Sequence, residues 1–318
     1  METSTSGKFR YHGQGGDLFG LVVVNALLTI VTLGIYSFWA KTRVREFHYS
    51  HTELDGDRFA YHGTGGELFR GALIAFGVFI AFAIIYGIII AVIGEDPSAA
   101  TDAIITAGFY LAIIPLMMFA VNGARRYRLS RSSWRGIRFS YHGDPNEFIA
   151  MMFKGILLSV VTLGIYTPFF QSNRRAFLVN NTRFGSEPFM YDGEGRGLFY
   201  EFIKAVLLTI PTLGFVWIWY SAFKQRYFWE HTKMRGARFE ARITGMSLLE
   251  LQMLNMLLAW ITLGIGVPWV ITRTHEFLCD RLSIVGIVDW ARIRQESQTA
   301  TATSEGLAEG FDIDVGIG

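Results

Sequence analysis

One motif returns at intervals along this chain and limits what the chain can fold into. "RYHGQGGDLF" from position 10 comes back as "AYHGTGGELF" from 60, "SYHGDPNEFI" from 140 and "MYDGEGRGLF" from 190. A second landmark, Thr-Leu-Gly, stands at 32–34, 162–164, 212–214 and 262–264, and follows Tyr11, Tyr141 and Tyr191 at a constant 21 residues. The stretch "ARITGMSLLE" from 241 has lost Tyr-His-Gly but keeps Thr-Leu-Gly at the same offset. Self-similarity at a fixed period marks a fold assembled from copies, each burying its apolar face on its neighbours. The period gives units 8–57, 58–137, 138–187, 188–237 and 238–294 within a repeat-built domain, 8–294.

The second unit is thirty residues longer than the others, and its extra length falls where they carry Thr-Leu-Gly. It contains two long apolar segments, about 67–93 and 103–124, around "GEDPSAATD", the pattern of a helical hairpin with a polar tip. By correspondence, Thr-Leu-Gly is a tight turn between two shorter helices. Gly commonly follows a helix end because a left-handed residue is needed there, and Pro suits a first helical turn. Gly164 then Pro168, and Gly264 then Pro268, therefore indicate a stop followed by a start.

Uncharged runs at Leu18–Ala40, Gly71–Gly94, Ala103–Ala124 and Leu251–Thr272 are of membrane-crossing length. The polar N-terminus "METSTSGKFR" lacks the apolar core of a signal peptide. All 29 Lys and Arg lie in segments flanking the hairpins, with none in 94–102 or beside a Thr-Leu-Gly. If every unit is a hairpin, all the basic segments share one side, as the positive-inside rule expects of the cytoplasm. The expected fold class is an all-α multi-pass membrane protein of five helical-hairpin pseudo-repeats, with short cytoplasmic β-strands such as "DRFAYHG" and "IRFSYHG" between them. An arm of about nine uncharged residues reaches only roughly 14 Å, about half a bilayer core. The shorter hairpins are thus either short spans or re-entrant wedges.

Chemistry-bearing residues are sparse. His12, His62 and His142 share one column of the repeat and are the candidate metal ligands, although Asp192 and Arg242 occupy that column in the later units. A polar turn residue explains the column as well as a metal does. Single Cys279 excludes an internal disulfide and a Cys-based zinc cluster. The Gly-rich loops lack the Lys-Ser/Thr of a phosphate loop and carry an acid where the phosphate would sit. Arg125, Arg126, Arg128, Arg131, Arg135 and Arg138 form a run dense enough to attract anionic lipid headgroups. Asn25, Gln252 and Asn255 lie within apolar segments, where inter-helix hydrogen bonds are their ordinary use. A net charge of +2 gives no reason to expect nucleic acid as a partner, and no residue set calls for a cofactor.

From 295 the chain becomes polar and reads as a disordered tail, 295–318. It closes with "FDIDVGIG", whose Phe311, Ile313, Val315 and Ile317 alternate like a strand that could dock on this protein's own sheet or on a partner. The repeated F-x-Y-H-G-x-G-G-[DE]-L-F, "TLGIY" and this terminal motif resemble the YjgN-like family of bacterial inner-membrane proteins, a domain of unknown function. The resemblance covers nearly the whole chain. It implies the bacterial cytoplasmic membrane and an accessory role beside a partner such as a membrane metalloprotease. The expected function is a non-enzymatic scaffold or accessory that binds lipid or a membrane partner. The alternative is a small-solute transporter or channel with a path between the repeats.

Overall fold

The structure is a computed structural model describing residues 6–93, 98–286, 290 and 293–295. Strand, two helices and strand alternate along the chain. β1 (Ser6–Tyr11) leads to α1 (Gly15–Val31), α2 (Ser37–His51) and β2 (Thr52–Leu54). β3 (Asp57–Tyr61), α3 (Gly65–Ile93), α4 (Ala99–Ser130) and β4 (Ser132–Trp134) follow. Next come β5 (Ile137–Tyr141), α5 (Pro145–Val161), α6 (Thr167–Asn180) and β6 (Thr182–Phe184). Then β7 (Glu187–Tyr191), α7 (Gly195–Leu208), α8 (Val216–Glu230) and β8 (Thr232–Met234). β9 (Ala237–Ala241), α9 (Gly245–Ile261), α10 (Val267–Arg281) and β10 (Leu282–Val285) end the described fold.

The ten strands close into an antiparallel barrel in the order β1-β10-β9-β8-β7-β6-β5-β4-β3-β2. This overturns the all-α expectation. Five of the strands, β2, β4, β6, β8 and β10, follow the second helix of each pair within a residue or two and are three or four residues long. Such short strands carry too little alternation to be read from sequence. Each pairs with the next strand, as Leu54 with Asp57 and Trp134 with Ile137, while β10 pairs with β9 and back to β1. The turns at Asp55-Gly56, Arg135-Gly136 and Arg235-Gly236 have two successive positive φ angles, the two-residue turn whose twist suits antiparallel strands.

The core lies inside the barrel. Phe9, Phe59, Phe139, Phe189 and Phe239 point inward with Leu54, Trp134, Phe184, Met234 and Ile284. Phe9 and Phe59 rings are 6.3 Å apart and Phe59 and Phe139 rings 6.4 Å apart, so the aromatics run around the axis. Ile293 and Trp290 close this core, the Trp290 ring 4.7 Å from that of Trp134. Burial of each Phe contributes on the order of 2 kcal/mol.

Thr-Leu-Gly is a specific helix-reversing turn. The Gly34 amide donates to the Thr29 carbonyl (2.8 Å) and the Leu33 amide to the Ile30 carbonyl (3.1 Å), which is the Schellman arrangement. The residue just past the helix is therefore Leu33, at φ 51°, and Gly34 follows at φ 93°. Thr32 Oγ1 donates to the Leu28 carbonyl (2.7 Å) and accepts from the Tyr36 amide (2.9 Å), tying the end of one helix to the start of the next. Thr162 repeats both bonds, to Leu158 and from Tyr166. The left-handed leucines, Leu33, Leu163, Leu213 and Leu263, are 88–95% exposed.

The second helix of each pair rests on the barrel, α2 on β3, α4 on β5, α6 on β7, α8 on β9 and α10 on β1. It also packs on the first helix of the next pair, and α10 closes the ring against α1. Here the Gly-rich loops find their reason. A Cβ on Gly15 would stand 2.2 Å from the Trp269 ring and one on Gly245 2.2 Å from the Trp219 ring. Glycine lets an aromatic side chain of one pair lie directly on the backbone of the next. Among the described residues two helices, α3 and α4, are long and apolar enough to cross a membrane. This replaces the multi-pass expectation, because Leu18–Ala40 and Leu251–Thr272 are each broken by a Thr-Leu-Gly turn into helices of 17 and 15 residues.

Candidate functional site

The polar chemistry gathers in a layer between barrel and helices. Along β1, β3, β5 and β7 the residue two beyond the core Phe is Tyr11, Tyr61, Tyr141 or Tyr191, at the helix-facing end of the strand and buried. Each hydroxyl meets the second helix of a pair. Tyr11 bonds His48 Nδ1 at 2.8 Å, Tyr141 donates to Asn122 Oδ1 at 2.8 Å, and Tyr191 lies 3.4 Å from Ser172 Oγ. The Tyr61 oxygen accepts from Arg45 at 3.4 Å. Burial pushes Tyr141 and Tyr191 up to about 12 and raises Tyr11 as well, so these phenols stay protonated.

Arg45, Arg125 and Arg175 hold one position of the second helix, with Gln225 and His275 in the last two pairs. Arg175 is only 6% exposed; its guanidinium lies over the Trp229 ring at 5.1 Å and the Phe228 ring at 5.7 Å. Burial, then the charge of Arg125, lowers it to about 10, which leaves it cationic. The Arg125 guanidinium sits over the Tyr141 ring at 5.6 Å. In the last pair His275 stacks on His48 at 4.2 Å and on Tyr11 at 5.4 Å. His48 is lowered to about 4 by burial and then by His275 and His51, and burial also lowers His275, so both imidazoles are neutral near pH 7. Burial, then Asp280, raises Cys279 to about 11, which keeps it a thiol. The layer can hold hydrogen-bonded and cationic groups in fixed positions and attract negative charge.

The three motif histidines are held apart at separate seams. His12 Nε2 meets Glu53 at 2.8 Å, His62 Nε2 meets Ser133 Oγ at 2.8 Å, and His142 Nε2 meets Ser140 Oγ at 3.1 Å. Among the described residues no group of three His, Cys, Asp or Glu could hold a metal. The column has a structural task instead. The amides of His12, His62, His142, Asp192 and Arg242 each donate to the carbonyl at the foot of a second helix, on His51, Arg131, Asn181, His231 and Arg281. Asp192 takes an ion pair with Lys233, which stands where Glu53 faces His12.

The six arginines from 125 to 138 do not form one surface. Arg125 lies in the layer, and Arg126 donates to the Gly143 carbonyl at 2.9 Å. Arg131 pairs with Glu67, Arg135 pairs with Asp57, and Arg138 is exposed on the barrel. Arg128, one turn from Arg125 and half-buried, contributes its carbonyl to Ser132 Oγ. Asn25, 4% exposed, donates to the Ala40 carbonyl at 3.5 Å, and Asn255 to Thr274 Oγ1 at 3.1 Å, each joining the two helices of its own pair. Gln252 is exposed. Phe311, Ile313, Val315 and Ile317 lie outside the described residues. The sequence reading used Tyr11, Tyr141 and Tyr191 as landmarks without a role and missed the Arg column, although the 50-residue period that exposed the histidines also places Arg125 over Arg175.

Comparison with known proteins agrees with a membrane setting. The family described as "Bacterial protein of unknown function (DUF898)" matches residues 6–215 and 202–310. The inner membrane protein YjgN of Escherichia coli K12 is 32% identical over 169 residues, 53% of this chain and 39% of that protein. YjgN of Salmonella typhimurium is 34% identical over 155 residues, 49% of this chain and 36% of its own length. The matched part therefore spans less than half of these curated relatives. No solved structure matches.

Proposed function

We propose, for a chain that belongs to the bacterial family of unknown function DUF898, an inner-membrane scaffold or accessory without enzymatic activity. The observation that carries this reading is the filled barrel. Among the described residues its axis is filled by aromatic and aliphatic side chains from all five strand pairs, which packs the centre of the ring that joins the units. In this reading α3 and α4 cross the bilayer, and the shorter pairs dip into one leaflet. Helices of 14 to 17 residues, such as α7 and α1, measure roughly 21 to 26 Å, short of the roughly 30 Å core. Their exposed tips, Leu33, Leu163, Leu213 and Leu263 with Ile30, Val161, Ile210 and Ile261, suit lipid and not water.

The barrel, the basic segments and both termini then face the cytoplasm, where basic residues draw anionic lipid. A closed barrel offers no free edge among the described strands. The strand-like 311–317 would therefore serve a partner's edge better than this protein's own sheet, and a membrane protein such as a metalloprotease fits that role. The test is reconstitution into sealed vesicles with a broad panel of labelled solutes. A scaffold gives no flux above lipid alone. Flux that falls in Asn25→Leu or Asn255→Leu would overturn this reading in favour of a transporter.

A further inference from the structure

The ring of helices closes where α10 meets α1, and that seam holds a crevice of about 670 Å³. Its size is that of a small-molecule site. Its floor is Trp269, lying on Gly15. One end is apolar, formed by Leu254, Leu257 and Ile261 of α9, and runs toward the Thr-Leu-Gly tip at 262–264. The other end is polar and carries Arg273 and Glu276, neighbours on one face of α10. Neither has an ion pair or side-chain hydrogen bond among the described residues.

A second crevice, about 300 Å³, occupies the equivalent seam between α8 and α9, with Trp219 and Gly245 standing for Trp269 and Gly15. There Phe223 takes the place of Arg273, and both cations are already matched, Lys204 to Glu201 at 2.7 Å and Arg226 to Glu230 at 3.9 Å. The two seams share a shape, and only the first keeps an unmatched cation and an unmatched anion side by side at the end of an apolar channel.

We propose that the α10–α1 crevice seats one zwitterionic glycerophospholipid. The phosphate lies at Arg273, the headgroup ammonium at Glu276, and an acyl chain runs along Leu254, Leu257 and Ile261. Charge complementarity selects a phosphoethanolamine headgroup over a net-anionic phosphoglycerol, because Glu276 attracts the ammonium and repels a headgroup that lacks one. This inference rests on the reading that the hairpins lie in a leaflet, which brings lipid to the mouth of the crevice.

The test uses the full chain, delipidated in detergent and titrated with phosphatidylethanolamine or phosphatidylglycerol of identical chains, with bound lipid counted by native mass spectrometry. Wild type should hold one phosphatidylethanolamine in preference to phosphatidylglycerol. Arg273→Gln should weaken both by about tenfold or more, the loss expected for a charge-assisted hydrogen bond. Glu276→Gln should erase the preference from both sides, weakening phosphatidylethanolamine and strengthening phosphatidylglycerol. Both variants are surface changes, and unchanged thermal unfolding would show that they fold. Binding of both lipids unchanged in the two variants would overturn the site. Carbonate extraction of the same proteins from membranes separates the two levels of the argument. A protein that resists carbonate and holds no discrete lipid removes the crevice site alone, and one that fails both removes the leaflet reading with it.

Discussion

His48 lies where a proton is costly. It is partly buried, Tyr11 holds its Nδ1, and His275 is stacked 4.2 Å away. Its folded value near 4 lies below the ordinary 6.5, so between those limits the unfolded chain binds more protons than the fold. Stability is therefore complete above about pH 6.5 and falls as pH drops toward 4. With the partial exposure of the imidazole discounted, the loss should be about 1–2 kcal/mol. Thermal unfolding in detergent at stepped pH checks this, and His48→Asn should flatten that part of the curve. The single-residue scale also explains why the histidine column stayed ambiguous in the sequence. His12, His62 and Asp192 share a local motif, but their partners Glu53, Ser133 and Lys233 come from strands 41 or 71 residues away. Nothing in the motif indicates those partners, so the sequence leaves a seam residue and a ligand equally open.

At the scale of the element, the Thr-Leu-Gly turn depends on one hydroxyl. Thr162 Oγ1 is both donor to the Leu158 carbonyl and acceptor from the Tyr166 amide, and valine has the same shape without either bond. Thr162→Val should cost about 1–2 kcal/mol in chemical unfolding, whereas Thr162→Ser should cost less than half of that. Equal losses in the two variants would mean that the methyl group, not the hydroxyl, holds the turn. The turn itself was legible, because the long second unit spells out the helices that Thr-Leu-Gly abbreviates. Its inner arrangement was not. Gly164 was expected as the residue directly past the helix, but Leu163 takes that left-handed place at a cost of roughly 1–2 kcal/mol, and Gly164 follows it. A strained, solvent-exposed leucine kept at four tips makes sense where the surrounding medium is lipid. The short strands were hidden for the opposite reason. Thr52–Leu54 runs straight on from α2 with no breaking residue between, and its one signal, the Asp55-Gly56 turn, was absorbed into a flanking segment.

For the whole molecule, closure was beyond the reach of any single motif, since it depends on β10 meeting β1 across nearly the entire chain. Five strands were visible, four as Phe-x-Tyr and the last as Phe239-Glu240-Ala241, but a barrel needs all ten, and the missing five decide between an open sheet and a ring. That ring makes a demand on topology, because every helix pair starts and ends at the same barrel. If α3 and α4 cross the membrane, all barrel positions must share one side and Ser98, at the start of α4, must lie on the other. Single cysteines in a Cys279→Ser background test this with a membrane-impermeant thiol reagent on intact cells. Met190 and Lys233 are exposed on separate barrel strands, and Ser98 is exposed at the far end of the spans. Ser98→Cys should label while Met190→Cys and Lys233→Cys stay protected until the cells are opened. The reverse pattern would keep the barrel and turn it outward, against the arrangement of the basic residues. Labelling of only one barrel position would mean that strands on opposite sides of the bilayer cannot belong to one ring, and the closed barrel would fail with it.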